Sequence, residues 1–368
     1  MKTNSKTSNQ NSASAKVEVI KLGLDLHAAK VVVAAQLDGC PPQPTQRIAT
    51  ERFVAWIGQL KAKHPGAKIY ACYEAGPCGY WLHRRLVELG VESYVVAPVA
   101  LNGRRKNDQR DARALCEQLD RYLRGHRHAF SPVAVPTPEQ EQERALVRHR
   151  QALLKSLGRC AQQGRSLMLQ QGHRVRGKWW SLRRWEELKE TLPTWLVALL
   201  ADFQAQAQLF HRQILAQDKQ IAELVQTKKV DAPRGIGALT WLTLLLEVID
   251  WHRFKNRRQV ASYTGLCPGE HSSGETRREL SIDKHGNRRV RRALIEAAWR
   301  LAMWQPDYPP LEKLRAAQGG RSRKRAIVAV ARRLAIDLWR IATAQTTREK
   351  VGLGALATAN ATKVAKAA

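Results

Sequence analysis

Four carboxylates and a pair of small hydroxyls are the groups whose type and spacing suit chemistry on a phosphate. Asp108 and Asp111 stand three residues apart inside a basic stretch, amid the five cations Arg104, Arg105, Lys106, Arg110 and Arg113. Side chains at that spacing share one face of a helix. Asp25 lies in the apolar run 17–26 and Glu74 ends the run 68–74. An aspartate inside an apolar strand is costly unless it is paired or bound to a metal. Four carboxylates converging from separate elements would hold Mg²⁺, as two ions that activate an oxygen nucleophile and stabilise a leaving oxygen in phosphoryl transfer. Taken one at a time, each acid reads equally well as a turn cap, an arginine partner or a first-turn residue favoured by the helix dipole.

The hydroxyls are Ser272 and Ser273, in Gly265-Leu266-Cys267-Pro268-Gly269-Glu270-His271-Ser272-Ser273-Gly274. A helix over 290–303 follows, opened by Arg288, Arg289, Arg291 and Arg292. An exposed serine on a glycine loop, faced by arginines, suits a hydroxyl brought to a phosphodiester. Serine and glycine are also ordinary loop formers, which is the commoner reading. Upstream, Pro233-Arg234-Gly235-Ile236-Gly237 precedes another helix. There Gly235 and Gly237 would present backbone N–H groups to a phosphate, as in helix-hairpin-helix DNA binders, although a plain helix cap explains them too.

These groups sit in a chain of 368 residues with 62 Lys and Arg against 32 Asp and Glu, a net charge of +30. That surplus points first to a polyanion, most simply nucleic acid, bound with an affinity that falls steeply with salt. An anionic membrane is the rival partner. The longest apolar run, 238–246, is broken by Thr240 and Thr243 and is too short to span a bilayer. Residues 1–16 lack the apolar core of a signal peptide, so the expected location is cytoplasmic or nucleoid-associated. The six cysteines, Cys40, Cys72, Cys78, Cys116, Cys160 and Cys267, show no metal-site spacing, and neither do the eleven histidines. Reduced, mostly buried thiols are expected.

Periodicity supplies the elements that must position the acids. Past a polar tail over 1–16, strands are expected over 17–26, 30–37 and 44–48, a helix over 50–63 with Phe53, Trp56, Ile57 and Leu60 on one face, a strand over 68–74, a helix over 80–89, a strand over 92–99, and a helix carrying Asp108 and Asp111. Three strands, helix, strand, helix, strand, helix is the order of an RNase H-like α/β domain, here over 17–124. Prolines 132, 136 and 138 mark a linker over 125–138. Heptad spacing of Leu146, Leu153, Cys160 and Leu167, then of Leu196, Leu199, Phe203, Phe210, Ile214, Ile221 and Leu224, predicts a coiled-coil arm over 139–228. An ordinary helical-bundle core is nearly as good a reading. A mostly α-helical domain over 229–346 and a tail over 347–368 complete the chain.

Taken together, the motifs resemble the DEDD family of insertion-sequence transposases: Asp25 in Gly-Leu-Asp-Leu-His, Glu74 in Tyr-Glu-Ala-Gly-Pro, Asp108 and Asp111 in Lys-Asn-Asp-Gln-Arg-Asp-Ala, then Pro-Arg-Gly-Ile-Gly, Gly-Leu-Cys-Pro, Ser-Ser-Gly and Lys-His-Gly-Asn-Arg. The likeness runs over nearly the whole chain. It implies a RuvC-like N-terminal domain in which Asp25, Glu74, Asp108 and Asp111 bind Mg²⁺, and a C-terminal domain whose serine, Ser273 ahead of its neighbour Ser272, forms a covalent phosphoserine link to DNA. It further implies a site-specific recombinase that excises and inserts its own element, guided by a bridge RNA pairing with donor and target DNA. The composite site it implies, metal from one protomer and serine from another, calls for a dimer or a tetramer. Two rivals stand beside this expectation: a metal-dependent nuclease of the junction-resolvase kind, and a non-catalytic nucleic-acid-binding protein.

Overall fold

A computed structural model describes residues 16–98, 107–273 and 276–354, with the side chains of 270–280 outside the description. The chain divides into two compact units between Val135 and Pro136. In the first unit, β1 (Val19–Leu26), β2 (Lys30–Leu37), β3 (Gln46–Ala49), β4 (Lys68–Glu74) and β5 (Glu92–Val96) form one sheet in the order β3-β2-β1-β4-β5. The first three strands pair antiparallel, whereas β4 and β5 run parallel to β1. Parallel neighbours need crossovers, and helices α1 (Thr50–Lys63) and α2 (Trp81–Glu88) supply them. Both pack on one sheet face, burying Phe53, Ile57, Leu82 and Leu86 against Ile20, Leu22 and Leu24. The expected α/β architecture is therefore present, with β5 ending at Val96.

Helix α3 (Asp108–Leu123) covers the opposite face. Its Ala112 and Cys116 lie on Val32 and Ala34, while Leu115 and Leu119 lie on Cys72 and Val96. The approach is close because Gly23 carries no side chain: a Cβ there would overlap the carbonyl oxygen of Ala112 and the amide nitrogen of Cys116. Lys21, two residues earlier on the same face, donates at 2.6 Å to Asp120 farther along α3. Of the expected linker 125–138, residues up to Val135 are instead docked on this unit. Ala97 donates to the carbonyl of Ser131 and Val133 to that of Val95, and Phe130 is buried beside Tyr94 and Tyr122. Three prolines there stop a helix without preventing a short edge pairing, which proline tolerates.

The second unit opens with α4 (Pro138–Gln170), capped by Thr137 in a reciprocal box with Gln140. After α5 (Leu182–Lys189), α6 (Thr194–Thr227) returns antiparallel within the same chain. Glu143 pairs with Lys228, Arg150 with Asp218, and the Cys160 thiol reaches the Phe203 carbonyl, so early α4 meets late α6. The buried stripe of α6 is Leu200, Ala207, Ile214 and Ile221, at intervals of seven, so Leu199 points to water where the sequence pattern had placed it inside. The tip is closed by Trp179, Trp180 and Trp185, and Trp179 packs so close to Gly164 that a Cβ there would overlap its ring.

The remaining elements are α7 (Ala238–Val248), α8 (Arg257–Thr264), the hairpin β6 (Pro268–Ser273) and β7 (Thr276–Ile282), α9 (Arg288–Trp304), α10 (Glu312–Arg315) and α11 (Gly320–Ala342). Their shared core holds Leu244, Val248, Leu294, Leu301, Tyr308, Leu334 and Leu338. Residues 347–354, expected as the start of a tail, belong to this core: Leu353 and Val351 are buried, and Arg348 bridges to Asp231 at 2.7 Å. Two apolar residues among glycines and charges were too sparse to announce a docked segment. Among the described residues no helix is long and apolar enough to cross a membrane, and the six cysteines are unbridged, three of them buried.

Candidate metal centre and nucleic-acid contacts

Asp25 stands near the end of β1, on the face that α3 covers, because Leu24 before it points into the opposite core. Asn107 caps α3, its side chain accepting from the Gln109 amide at 3.0 Å, and so starts the helix one residue before Asp108. Ala112, buried four residues after Asp108, turns that same helix face toward the sheet. The consequence is a tight group: ligand atoms of Asp25, His27 and Asp108 all lie within 4.8 Å of one another. His27 Nε2 is 3.1 Å from Asp25 Oδ2 and 3.4 Å from Asp108 Oδ2. Lys30 donates to Asp108 Oδ2 at 2.7 Å.

The electrostatics are those of crowded acids. Burial pushes the Asp25 carboxyl up; His27 opposes this, and the charges of Asp108 and Asp111 add to it. Asp108 is held below the usual carboxylate range, chiefly by its hydrogen bond from Lys30. Glu74 ends β4 in parallel register with β1, where Leu24 faces Tyr73, so the next position sets Glu74 level with Asp25. It shares the α3 side with Cys72, whose thiol reaches the Leu115 carbonyl at 3.3 Å. Asp25 and Asp108 are thus brought together, Asp111 is near enough to act on Asp25, and Glu74 is at the adjacent strand end, outside the tight group.

His27 was not among the expected ligands. The signal was present in Asp-Leu-His at the mouth of a hairpin, where His27 donates its amide to Lys30 O at 2.9 Å and curls the chain back over Asp25. Two facing carboxylates with an imidazole nitrogen beside them offer a donor set that fits a divalent cation. Of the basic island, Arg104, Arg105 and Lys106 lie outside the described residues, while Arg110 and Arg113 are exposed on α3.

In the second unit the expected serine loop is a hairpin. Ser273 faces Thr276 and Ser272 faces Arg277 in the β6–β7 ladder, so both serines are strand residues beside the turn. The run is almost wholly polar, which hid its strand character. Gly235 adopts a φ of +83° and packs against Trp304, and Gly237 caps α7 without a side chain. Arg288 and Arg292 are exposed at the start of α9. Arg291 instead donates to the carbonyls of Thr264 and Lys284, at 3.2 Å each, and Arg289 lies 3.8 Å from Glu247.

Glu247, missed in the sequence, ties this unit together. It is 3 % exposed and accepts two bonds from Arg148 of α4, at 2.8 and 2.9 Å, and a third from Asn287 at 3.1 Å. Burial raises its carboxyl, but Arg148, Asn287 and Arg144 outweigh burial and leave it lowered. Such a group stabilises the fold above its unfolded value of about 4.5, and the contribution is lost as pH falls through the lower folded value. Glu247→Gln is expected to cost about 3 kcal/mol in urea unfolding at pH 7, the scale of breaking a buried pair. The gap from the parent should narrow in acid; a gap independent of pH would show that the charge is immaterial.

A DEDD transposase profile for IS110 elements matches residues 22–172, which include Asp25, Glu74, Asp108 and Asp111, and a profile described as transposase IS116/IS110/IS902 family matches residues 229–310. The Sinorhizobium fredii protein y4rJ, named as a transposase, is 34% identical over 74% of this chain and 76% of its own length. Another protein of that organism named as a transposase, y4qE, is 36% identical over 69% of the chain, a match spanning 62% of y4qE. The transposase for insertion sequence element IS1111A of Coxiella burnetii is 27% identical over 82% of the chain and 84% of its own length. With both halves matched in order and y4rJ alike over three quarters of its length, the chain belongs to the IS110 family of transposases.

Proposed function

We propose that this protein excises and inserts its own insertion sequence by cleaving and rejoining DNA through a phosphoserine at Ser273, with Asp25, Glu74, Asp108 and Asp111 holding Mg²⁺, two ions in the full site. The observation that carries the reading is the meeting of Asp25 and Asp108 from β1 and α3 in a chain of a transposase family. Bound Mg²⁺ would supply charge neutralisation at the phosphate and a lowered barrier to forming an oxyanion. The protein's own groups do the rest. Asp25 and Asp108 fix the site on two rigid elements. Lys30 donates to Asp108 and offsets its charge, and His27 lies against both carboxylates.

In the chemical step the Ser273 oxygen bonds to phosphorus, a deoxyribose oxygen leaves, and the serine proton ends on that leaving oxygen, so one ester is exchanged for another. Rejoining reverses this without an external energy source, which hydrolysis would forfeit. Arg288, Arg289 and Arg292, together with the Gly235–Gly237 turn and the island Arg104, Arg105, Lys106, Arg110 and Arg113, are the proposed phosphate contacts, while Arg291 is held by backbone carbonyls. The proposed partners are donor and target DNA and a structured bridge RNA, in keeping with a charge of +30. The proposed assembly is a dimer or tetramer in which the long helical pair joins protomers as a coiled-coil arm.

Trapping tests the central step. Denaturing electrophoresis of the full chain with element-end DNA and Mg²⁺ should show a covalent protein–DNA adduct that Ser273→Ala abolishes and Ser272→Ala retains. Cutting without any adduct, unaffected by Ser273→Ala, would establish instead a resolvase-like nuclease.

A further inference from the structure

We propose that the outer face of α9 is a stacking site for an unpaired base, with Trp299 as the platform and Arg288, Arg292 and Arg300 as contacts to the flanking phosphates. The proposal rests on the reading that this protein handles nucleic acid, and it adds a class of ligand, the extruded or single-stranded nucleotide.

Helix α9 has two faces of opposite chemistry. Val290, Ala293, Leu294, Ala297, Ala298 and Leu301 are buried in the core of the second unit. On the other side Arg288, Arg291, Arg292, Ile295, Glu296, Trp299 and Arg300 line a shallow cleft. An amphipathic helix explains the arginines but not the indole, which stands 40% exposed in the middle of them. Met303 and Trp304 extend the apolar ground toward the end of the helix at 79% and 52% exposed. A single exposed apolar residue is unremarkable; a run of three beside a basic stripe is a surface shaped for a partner.

The charge identifies that partner. Among the described residues Arg288, Arg292 and Arg300 pair with no carboxylate, while Arg291 is committed to backbone carbonyls. Glu296 is the one acid in the stripe. From Arg288 to Arg300 is roughly 18 Å of helix, enough to meet more than one phosphate. Toward its end the face adjoins the start of α7, for Arg300 Nη1 would stand 3.5 Å from a Cβ at Gly237, where uncapped N–H groups also favour an anion. A second protein would leave the three guanidinium groups uncompensated unless it were acidic.

A flat indole distinguishes unpaired from paired strands. Inside a duplex each base face is already covered by its neighbours, so away from the two ends only an unstacked base has a π-face to offer, and every base has one. DNA and RNA therefore supply the same chemistry here. Strand exchange, in which paired bases must part before they pair anew, is a reaction that produces such nucleotides.

Fluorescence anisotropy of the full chain with labelled oligo-dT, oligo-rU and a blunt duplex, at one fixed salt concentration, tests this. Trp299→Ala should weaken single-strand binding about tenfold, Trp299→Phe should keep most of it, and duplex binding should stay within about twofold in both variants. Equal retention on dT and rU marks a base-tolerant platform; loss on only one of them assigns the site to that strand. An equal loss on duplex and single strands, or no loss on either, overturns the stacking site. So does a shift in oligomeric state by sedimentation with single-strand affinity unchanged, which would make Trp299 a contact between protein chains. A parent protein that binds none of the three probes would overturn the nucleic-acid reading itself.

Discussion

Replacing Asp25 with asparagine is expected to lower adduct formation at least about a thousandfold while leaving the thermal stability of the protein equal or higher. The two effects have opposite signs because of where the charge sits. The Asp25 carboxyl is raised by burial and by the neighbouring charges of Asp108 and Asp111. A carboxyl whose folded value lies above its unfolded one costs stability in its charged form, so the fold carries a penalty that grows as pH rises from the unfolded value to the folded one and is fully present above it. Asparagine keeps the shape and removes the penalty. It also removes one of the carboxylates that would hold a divalent ion, so the second readout is ligand linkage. Mg²⁺ at about a hundred times its dissociation constant should stabilise the parent by roughly 2.7 kcal/mol and the variant hardly at all. A variant that melts early and still forms the adduct would place Asp25 among ordinary structural residues.

How much of this was legible beforehand follows from where apolar contrast is strong. The strands of the first unit declare themselves by β-branched runs between turn residues, and α1 by the spacing of Phe53 and Ile57, because burial there has a clean period. Asp25 and Glu74 stand out against those runs for the same reason. The β6–β7 hairpin did not stand out, since Glu270, His271, Ser272, Ser273, Thr276, Arg277 and Arg278 offer no apolar contrast from which to read a period of two. Glu247 was invisible in another way: its partners Arg148 and Asn287 are 99 and 40 residues distant, and no local pattern encodes a bond across helices. His27 falls between these cases, legible as a hairpin residue but placed beside the acids only by its distance to Asp108 across the sheet-to-helix gap.

Gly23 carries the other large effect, and a paired substitution isolates it. Gly23→Ala should destabilise the protein by about 2 kcal/mol and lower recombination about a hundredfold, whereas Gly58→Ala should stabilise it by about 0.5–1 kcal/mol and leave the reaction alone. Gly58 is an exposed position inside α1 with nothing near its missing Cβ, so alanine there gains helix propensity at no steric cost. Gly23 is the reverse. Its Cβ would meet the backbone of Ala112 and Cys116, with Cys116 Cα at 2.8 Å, and a helix backbone cannot rotate aside as a side chain can. The helix must back away from β1. Lys21 and Asp120 oppose that movement toward the other end of the contact, so the displacement falls on the first turns of α3, where Asp108 and Asp111 stand. A shift of about 1 Å there is enough to spoil positioning that depends on ion and phosphate geometry. If Gly23→Ala lost stability and kept full activity, the close approach of α3 would be a packing device alone; the expected result ties the glycine of Gly-Leu-Asp to the placing of acids 85 and 88 residues farther along the chain.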